Sequence, residues 1–257
     1  MRRREKFVLS SLILTAGLFS MQFVDLTERY LLLLGLVIGS YLIASWALAD
    51  DLQWYERITL VPFVPLYMGV VGLFYFLLPE NIISLAATMG IFGVGAYALL
   101  LAGNIFSVAK GRSIQLLHAA QAIQMLFGVL MSLLFTNVLF SFYWPFWWNG
   151  LALGGFHLIL ASMIYWSIEL PRSWEGIREL VPYAVYTGLL LLELGILFSL
   201  VPFSVWHKAL FVMALVYVIF GIVENHIKGR LYQKTITEYG LAFGFIVVLF
   251  LAWFPKK

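Results

Sequence analysis

Residues 180–202 read LVPYAVYTGLLLLELGILFSLVP, and Glu193 is the only charged side chain in this stretch. About 20 apolar residues, at a rise of about 1.5 Å per residue, cross the roughly 30 Å hydrocarbon core of a bilayer. The stretch therefore predicts a transmembrane helix. Because a charged side chain near the middle of such a helix costs at least about 2.5–3.5 kcal/mol to insert, Glu193 is expected to face protein or water.

The composition of the whole chain agrees with a lipid environment. Of the 257 residues, 63% are hydrophobic and 11% are charged, whereas soluble domains are about half apolar and a quarter charged. The mean hydropathy is +0.95. We attribute the net charge of +3 to membrane orientation, so no nucleic-acid partner is predicted. Because the sequence contains no cysteine, disulfides, thiolate metal sites and thiol nucleophiles are excluded.

Nine stretches of suitable length predict an all-α, multi-pass integral membrane protein with about nine transmembrane helices. The first stretch has a basic start, MRRREK, as a secretory signal does. It lacks a small-residue cleavage site, so it is interpreted as an uncleaved first helix. The predicted spans are 7–23, 30–49, 59–78, 85–105, 114–135, 150–168, 182–201, 209–223 and 236–254.

The distribution of basic residues predicts the direction of insertion. Counted along the nine spans, 12 of the 16 lysines and arginines fall on the side of the N-terminus and four on the other side. Cytoplasmic loops of membrane proteins are enriched in these residues. The sequence therefore predicts an N-in, C-out topology in a cell membrane, and a prokaryotic plasma membrane is the default assignment because no eukaryotic targeting pattern is present.

An offset of 120 residues aligns the first half of the chain with the second. The most informative matches are Trp46 with Trp166, Trp54 with Trp174, and the Leu-Val-Pro triplets at 60–62 and 180–182. With a shift of two residues, Lys-Gly-Arg at 110–112 also matches Lys-Gly-Arg at 228–230. One transmembrane domain, 1–257, is predicted, with four-span repeats at about 7–112 and 114–230 and an additional C-terminal helix at 236–257. Four spans return the chain to its starting side, so the repeats are expected to be parallel. The alternative is that the duplication of a stable four-helix unit only makes the protein larger.

His157, on the sixth span, is the candidate partner of Glu193. It lies nine residues before Trp166, which places it at a membrane depth similar to that of Glu193. We predict an intramembrane polar pair that relays protons or holds a substrate, or else a hydrogen bond that only joins two helices. The residues that share the His157 face are small, which favours close helix contact: Gly150, Gly154 and Ala161.

Other polar residues are weaker candidates. Gln121, Gln124 and His118 on the fifth span are possible supporting groups, although ordinary interhelical hydrogen bonds account for the glutamines and access to water for His118. Lys110, Arg112, Lys228 and Arg230 are possible contacts for anionic lipid headgroups, and topology signalling explains them equally. No motif for a metal or a cofactor is found, and none is predicted.

Three functions are compatible with this sequence. The first is a small transporter or lipid-handling permease in which Glu193 and His157 take up protons. The second is a non-catalytic membrane scaffold or subunit that binds partner helices, from other proteins or from a second copy. The third and weakest is an intramembrane enzyme, because only the adjacent acids Asp50 and Asp51 and the histidines support it. Membrane lipids are the expected surroundings in each case.

Overall fold

The computed structural model describes residues 2–50, 52–79, 81–109, 115–171 and 173–252. Over these residues the regular secondary structure is helical, without a strand. The helices are α1 (Arg3–Ser20), a 3₁₀ turn (Met21–Phe23), α2 (Leu26–Leu48), α3 (Glu56–Thr59), α4 (Phe63–Tyr75), α5 (Ile82–Ala109), α6 (Gln115–Ser141), α7 (Phe146–Glu169), α8 (Trp174–Leu200), α9 (Val205–Ile227) and α10 (Gln233–Ala252).

Nine helical segments within the described ranges are long and apolar enough to cross a membrane. This confirms the predicted all-α class and the number of candidate spans, while the topology and the repeats stay predictions. The eighth span is longer than predicted, because α9 covers 23 residues. Its polar ends, which include His207 and Glu224, lie outside the apolar stretch from which the span is predicted.

The third span is interrupted, unlike the others. The short helix α3 ends at Thr59, and α4 begins at Phe63 after the segment 60–62. Pro62 is the N-cap residue of α4, where its lack of an N–H and its fixed φ do no harm. Pro182 lies inside α8, which continues through it. The two Leu-Val-Pro triplets therefore have different local structures.

The chain forms two compact units, Met1–Phe127 and Gly128–Lys257, with the boundary inside α6. In the first unit α1 packs against α2 and α5, and α4 packs against α2 and α5. In the second unit α7 packs most extensively against α8, and α9 contacts α7, α8 and α10. Neither unit has the same limits as a predicted repeat.

Tyr67 on α4 lies at the centre of the first unit. Its side chain is fully buried, with its ring stacked on Phe92 at 5.3 Å and edge-on to Phe127 at 5.3 Å. The hydroxyl donates to the carbonyl oxygen of Ile91 at 3.2 Å. This bond satisfies a hydroxyl that is buried among apolar side chains, so an aromatic core with one polar anchor holds α4 against α5.

An ion pair joins the start of α1 to the end of α2. Lys6 Nζ lies 3.1 Å from Asp50 Oδ1 and 3.0 Å from Oδ2, and Arg3 Nε lies 3.9 Å from Oδ2. The pKa of Asp50 lies below its ordinary value. The hydrogen bond from Lys6 is the largest cause, and the positive charge of Lys6 is the second. A carboxyl with a depressed folded-state pKa stabilises the fold above its unfolded pKa, and this contribution is lost as the pH falls through the folded value.

We expect Asp50→Asn to lower the melting temperature slightly from pH 7 down to about pH 4, and this difference should shrink as the pH falls further, through the lowered folded-state pKa of Asp50. Thermal unfolding of the purified protein in detergent, followed at several pH values, measures this. Lys6→Gln removes the same contact, so the double variant should be no less stable than either single one. A pH-independent difference would contradict the ion-pair interpretation.

Candidate functional site

His157 is fully buried on α7, and both of its ring nitrogens are hydrogen-bonded. Nδ1 lies 2.8 Å from the carbonyl oxygen of Leu153, one turn earlier, and Nε2 lies 2.8 Å from the hydroxyl of Ser132 on α6. A carbonyl oxygen only accepts, so Nδ1 donates to it. In the neutral imidazole Nε2 then carries no proton, so the Ser132 hydroxyl donates to it and the ring joins α6 to α7.

Glu193 occupies a different environment, on the exposed face of α8. Successive helical residues are about 100° apart, so Glu193 lies about 200° from Leu191, which is buried. The described part of the chain provides no hydrogen bond or ion pair to its carboxyl group. The prediction that Glu193 bonds to His157 is therefore wrong, because Ser132 and Leu153 occupy the imidazole and α8 turns the carboxyl away from the core.

The small residues of α7 contact α8 through its backbone. A Cβ atom added to Gly154 would lie 2.6 Å from Leu192 Cβ and 2.7 Å from the carbonyl oxygen of Gly188. On the opposite helix, a Cβ atom on Gly195 would lie 3.0 Å from the carbonyl oxygen of Asn149. The predicted close contact of the small face is thus confirmed. This contact involves the glycines, whereas His157 faces α6.

The supporting residues predicted on the fifth span lie on α6, in the first unit. Gln124 is buried, Gln121 is half-buried, and His118 is exposed. Their role beside Glu193 and His157, which belong to the second unit, stays a prediction.

Ser132 was not selected by sequence reasoning, although a signal for it exists. Small or polar residues recur at every fourth position of α6: Gln124, Gly128, Ser132 and Thr136. This spacing places them on one helix face, and all four are buried.

The candidate headgroup residues differ in their surroundings. Lys110 and Arg112 lie outside the described residues. Lys228 is half-buried and forms an ion pair with Glu224, one turn earlier on α9. Arg230 is exposed, which is compatible with a headgroup contact but does not test one.

The described residues give no support to the hypothesis of an intramembrane enzyme, which depends on Asp50 and Asp51. Asp51 lies outside the described residues, and Asp50 binds Lys6. Within the described ranges, no group of three or more histidines and carboxylates could hold a metal ion.

The Ser132–His157 geometry is chemically that of a hydroxyl beside a general base, as in serine hydrolases. Both side chains are completely buried, and the neighbouring rings of Phe135 and Phe156 stack at 4.0 Å. A substrate cannot reach a hydroxyl packed in this way. We therefore interpret the pair as a hydrogen bond between helices, of the kind found inside membrane proteins.

Comparison with protein-family models, curated proteins and solved structures gives no match to this chain.

Proposed function

We propose that this multi-pass membrane protein is a non-catalytic subunit or scaffold that binds a transmembrane helix of another protein along α8. The observation that supports this proposal is the exposure of Glu193 on an otherwise apolar helix face. Facing lipid, a carboxyl group near the middle of a span costs at least about 2.5–3.5 kcal/mol, and a partner that hydrogen-bonds to it removes much of this cost.

The exposed surface around Glu193 is a continuous stripe on α8. It contains residues spaced three or four positions apart, all exposed: Tyr186, Leu190, Glu193, Leu197 and Leu200. Glu193 lies seven residues, or about 10 Å, before the end of the helix at Leu200. This α8 stripe has the length and the chemistry of a helix-binding surface with one polar anchor.

The chemistry of Glu193 also indicates the kind of partner. Every lysine and arginine of this chain lies near or beyond the end of a predicted span. A second copy therefore has no lysine or arginine to present at the depth of Glu193, and the histidine at that depth, His157, is fully buried. We commit to a helix from a different chain that carries lysine, arginine or histidine within its apolar span.

The transport hypothesis required a protonatable pair of Glu193 and His157. Since His157 bonds to Ser132 and Leu153 instead, that mechanism loses its proposed proton site. The scaffold hypothesis requires a dry, packed interior and an exposed helix face. The burial of His157 and the exposure of the α8 stripe support it.

Binding to a designed helix tests the proposal. A labelled leucine-rich transmembrane peptide with one central lysine should bind the labelled protein in vesicles about three to ten times more tightly than an all-leucine peptide, by energy transfer. Glu193→Leu should abolish this preference, because the carboxyl that accepts from the lysine is gone. Glu179→Gln, at an exposed position near the start of the same helix, is the matched control and should preserve it.

Two results would contradict the proposal. Equal binding of both peptides to the wild-type protein would show that Glu193 selects no basic partner. Energy transfer between labelled copies that disappears in Glu193→Leu would show that a second copy covers the stripe.

A further inference from the structure

The connection between α6 and α7 is short, aromatic and uncharged. Residues 142–149 read FYWPFWWN, and residues 113–168 contain no aspartate, glutamate, lysine or arginine. The connection itself is residues 142–145, and the structure describes all of them. Connections that extend into water are usually rich in small polar residues, and residues 142–145 include none.

The aromatic side chains at this connection are exposed. Tyr143 is 86% exposed, and four of its neighbours are about half exposed: Trp144, Phe146, Trp147 and Trp148. We name these five residues the aromatic turn. The rings of Trp147 and Trp148 stack with their centroids 4.3 Å apart. A contiguous exposed patch of this kind marks an interaction surface, and tryptophan and tyrosine, with an apolar ring and one polar group, favour the headgroup level of a bilayer.

The aromatic turn has a fixed shape. Tyr143 has a φ of 52°, which is uncommon for a bulky residue and reverses the chain sharply. Asn149 is buried, and its Nδ2 donates to the carbonyl oxygen of Trp144 and to Ser199 Oγ on α8, each at 3.0 Å. The exposed rings therefore lose little conformational entropy when they meet a partner.

Lys208, in the first turn of α9, lies beside the end of α6. Its Nζ is 5.0 Å from the centroid of the Phe140 ring, two residues before the connection begins. The side chain is half-buried, and no carboxylate in the described ranges forms an ion pair with it. A partly buried ammonium group favours an anionic partner, and a long lysine side chain reaches the polar layer of a membrane while its stem stays on apolar surface. A lipid phosphate supplies such an anion, which favours a bilayer as the surface that covers the aromatic turn.

We propose that the aromatic turn lies in the headgroup layer of the bilayer and that Lys208 binds a lipid phosphate at the same level. The two contacts anchor the second unit at a fixed depth. Over residues 113–168 no charged side chain sets this depth, so the aromatic rings perform this role. The inference does not depend on the partner proposed for the α8 stripe.

A spin label tests the depth of the turn. Because the sequence contains no cysteine, Tyr143→Cys places one nitroxide on the full chain, reconstituted in phosphatidylcholine vesicles in a buffer without phosphate. Electron paramagnetic resonance measures the collision rates of the label with oxygen, which concentrates in hydrocarbon, and with a water-soluble nickel complex. The ratio of the two rates should lie between those of two exposed reference positions, Leu241→Cys within α10 and Arg4→Cys at the start of α1. A ratio equal to that of either reference would place the turn in hydrocarbon or in water and would overturn the proposal.

Removal of the tryptophans tests the anchor. Trp147→Ser combined with Trp148→Ser should raise the nickel collision rate of the label at position 143 about twofold, because the turn loses the rings that prefer the interface. Trp54→Ser combined with Trp174→Ser removes two exposed tryptophans elsewhere and should leave the rate unchanged. An unchanged rate in the first variant, or an equal rise in the second, would contradict anchoring by these rings. If the serine variant does not fold, replacement of both residues by phenylalanine, which removes only the indole N–H groups and part of the ring surface, should give a smaller rise, and no rise there would also count against the anchor.

The role of Lys208 is tested in the same vesicles. Lys208→Gln should raise the nickel collision rate by less than the loss of the two tryptophans does, because one phosphate contact is removed. An unchanged rate would show that Lys208 binds no lipid phosphate. Millimolar inorganic phosphate should leave the wild-type rate unchanged, and a rise would show that Lys208 takes up a free phosphate ion instead.

Discussion

Gly154→Val should destabilise the second unit by about 3 kcal/mol, near the upper end of the usual range for overpacking. The new Cβ atom would overlap Leu192 Cβ at 2.6 Å and the carbonyl oxygen of Gly188 at 2.7 Å. Neither atom is the end of a flexible side chain, so α7 and α8 must move apart. The free energy of unfolding, measured by titration with sodium dodecyl sulfate in mixed micelles, quantifies this loss.

Gly155→Val is the matched control for this experiment. Gly155 is the next residue of α7, and a Cβ atom there would have no neighbour within 4 Å. The substitution introduces the same side chain into the same helix and should change the free energy of unfolding by less than about 1 kcal/mol. Equal effects of the two variants would mean that helix propensity, and not the approach of α8, determines the result.

The helical class was largely predictable from the long apolar stretches, because few structures are open to such a stretch in a bilayer. In lipid, a spanning segment must satisfy its backbone hydrogen bonds internally, so an apolar stretch of about 20 residues predicts a helix. Helix ends were less predictable. α8 begins at Trp174, well before the apolar stretch, because Ser173 caps it by accepting from the Gly176 N–H at 3.2 Å.

The candidate site was less predictable, because depth in the membrane does not determine direction around a helix. Similar depths and the proximity of their spans predict a pair of Glu193 and His157. The packing of α7 on α8 is instead set by glycines, such as Gly154 and Gly188, and this rotates Glu193 outwards. The glycine spacing was readable in the sequence, and following it around α8 would have placed Glu193 on the opposite face.

Residues that the predicted repeat aligns have similar environments at some positions and different environments at others. Gly35 and Gly155 both have open space where a Cβ atom would be. Trp46, however, is 47% exposed, whereas Trp166 is 3% exposed. A duplicated chain is expected to diverge in this way when each copy packs against different neighbours, so these residues neither require nor exclude a duplication.

His157→Ala should also destabilise the protein strongly, by about 3 kcal/mol. The substitution opens a cavity beside Phe156 and removes the acceptor of the Ser132 hydroxyl. Ser132→Ala should cost about 1–2 kcal/mol, because it leaves Nε2 of His157 buried without a donor. Both values are obtained from the same detergent unfolding measurement.

A double-variant cycle separates the hydrogen bond from the packing. His157→Phe keeps a ring of similar shape, and combined with Ser132→Ala it replaces both polar partners by apolar groups, which is often nearly neutral. We expect the double variant to be more stable than the sum of the single effects by about 0.6–1.7 kcal/mol, the range found for hydrogen bonds between membrane helices. Ser162→Ala, at an exposed serine that donates to the carbonyl oxygen of Ile159 in its own helix, should have little effect. Additive single effects would show that Ser132 and His157 do not stabilise each other, and the interpretation of this pair as a helix-joining bond would then be wrong.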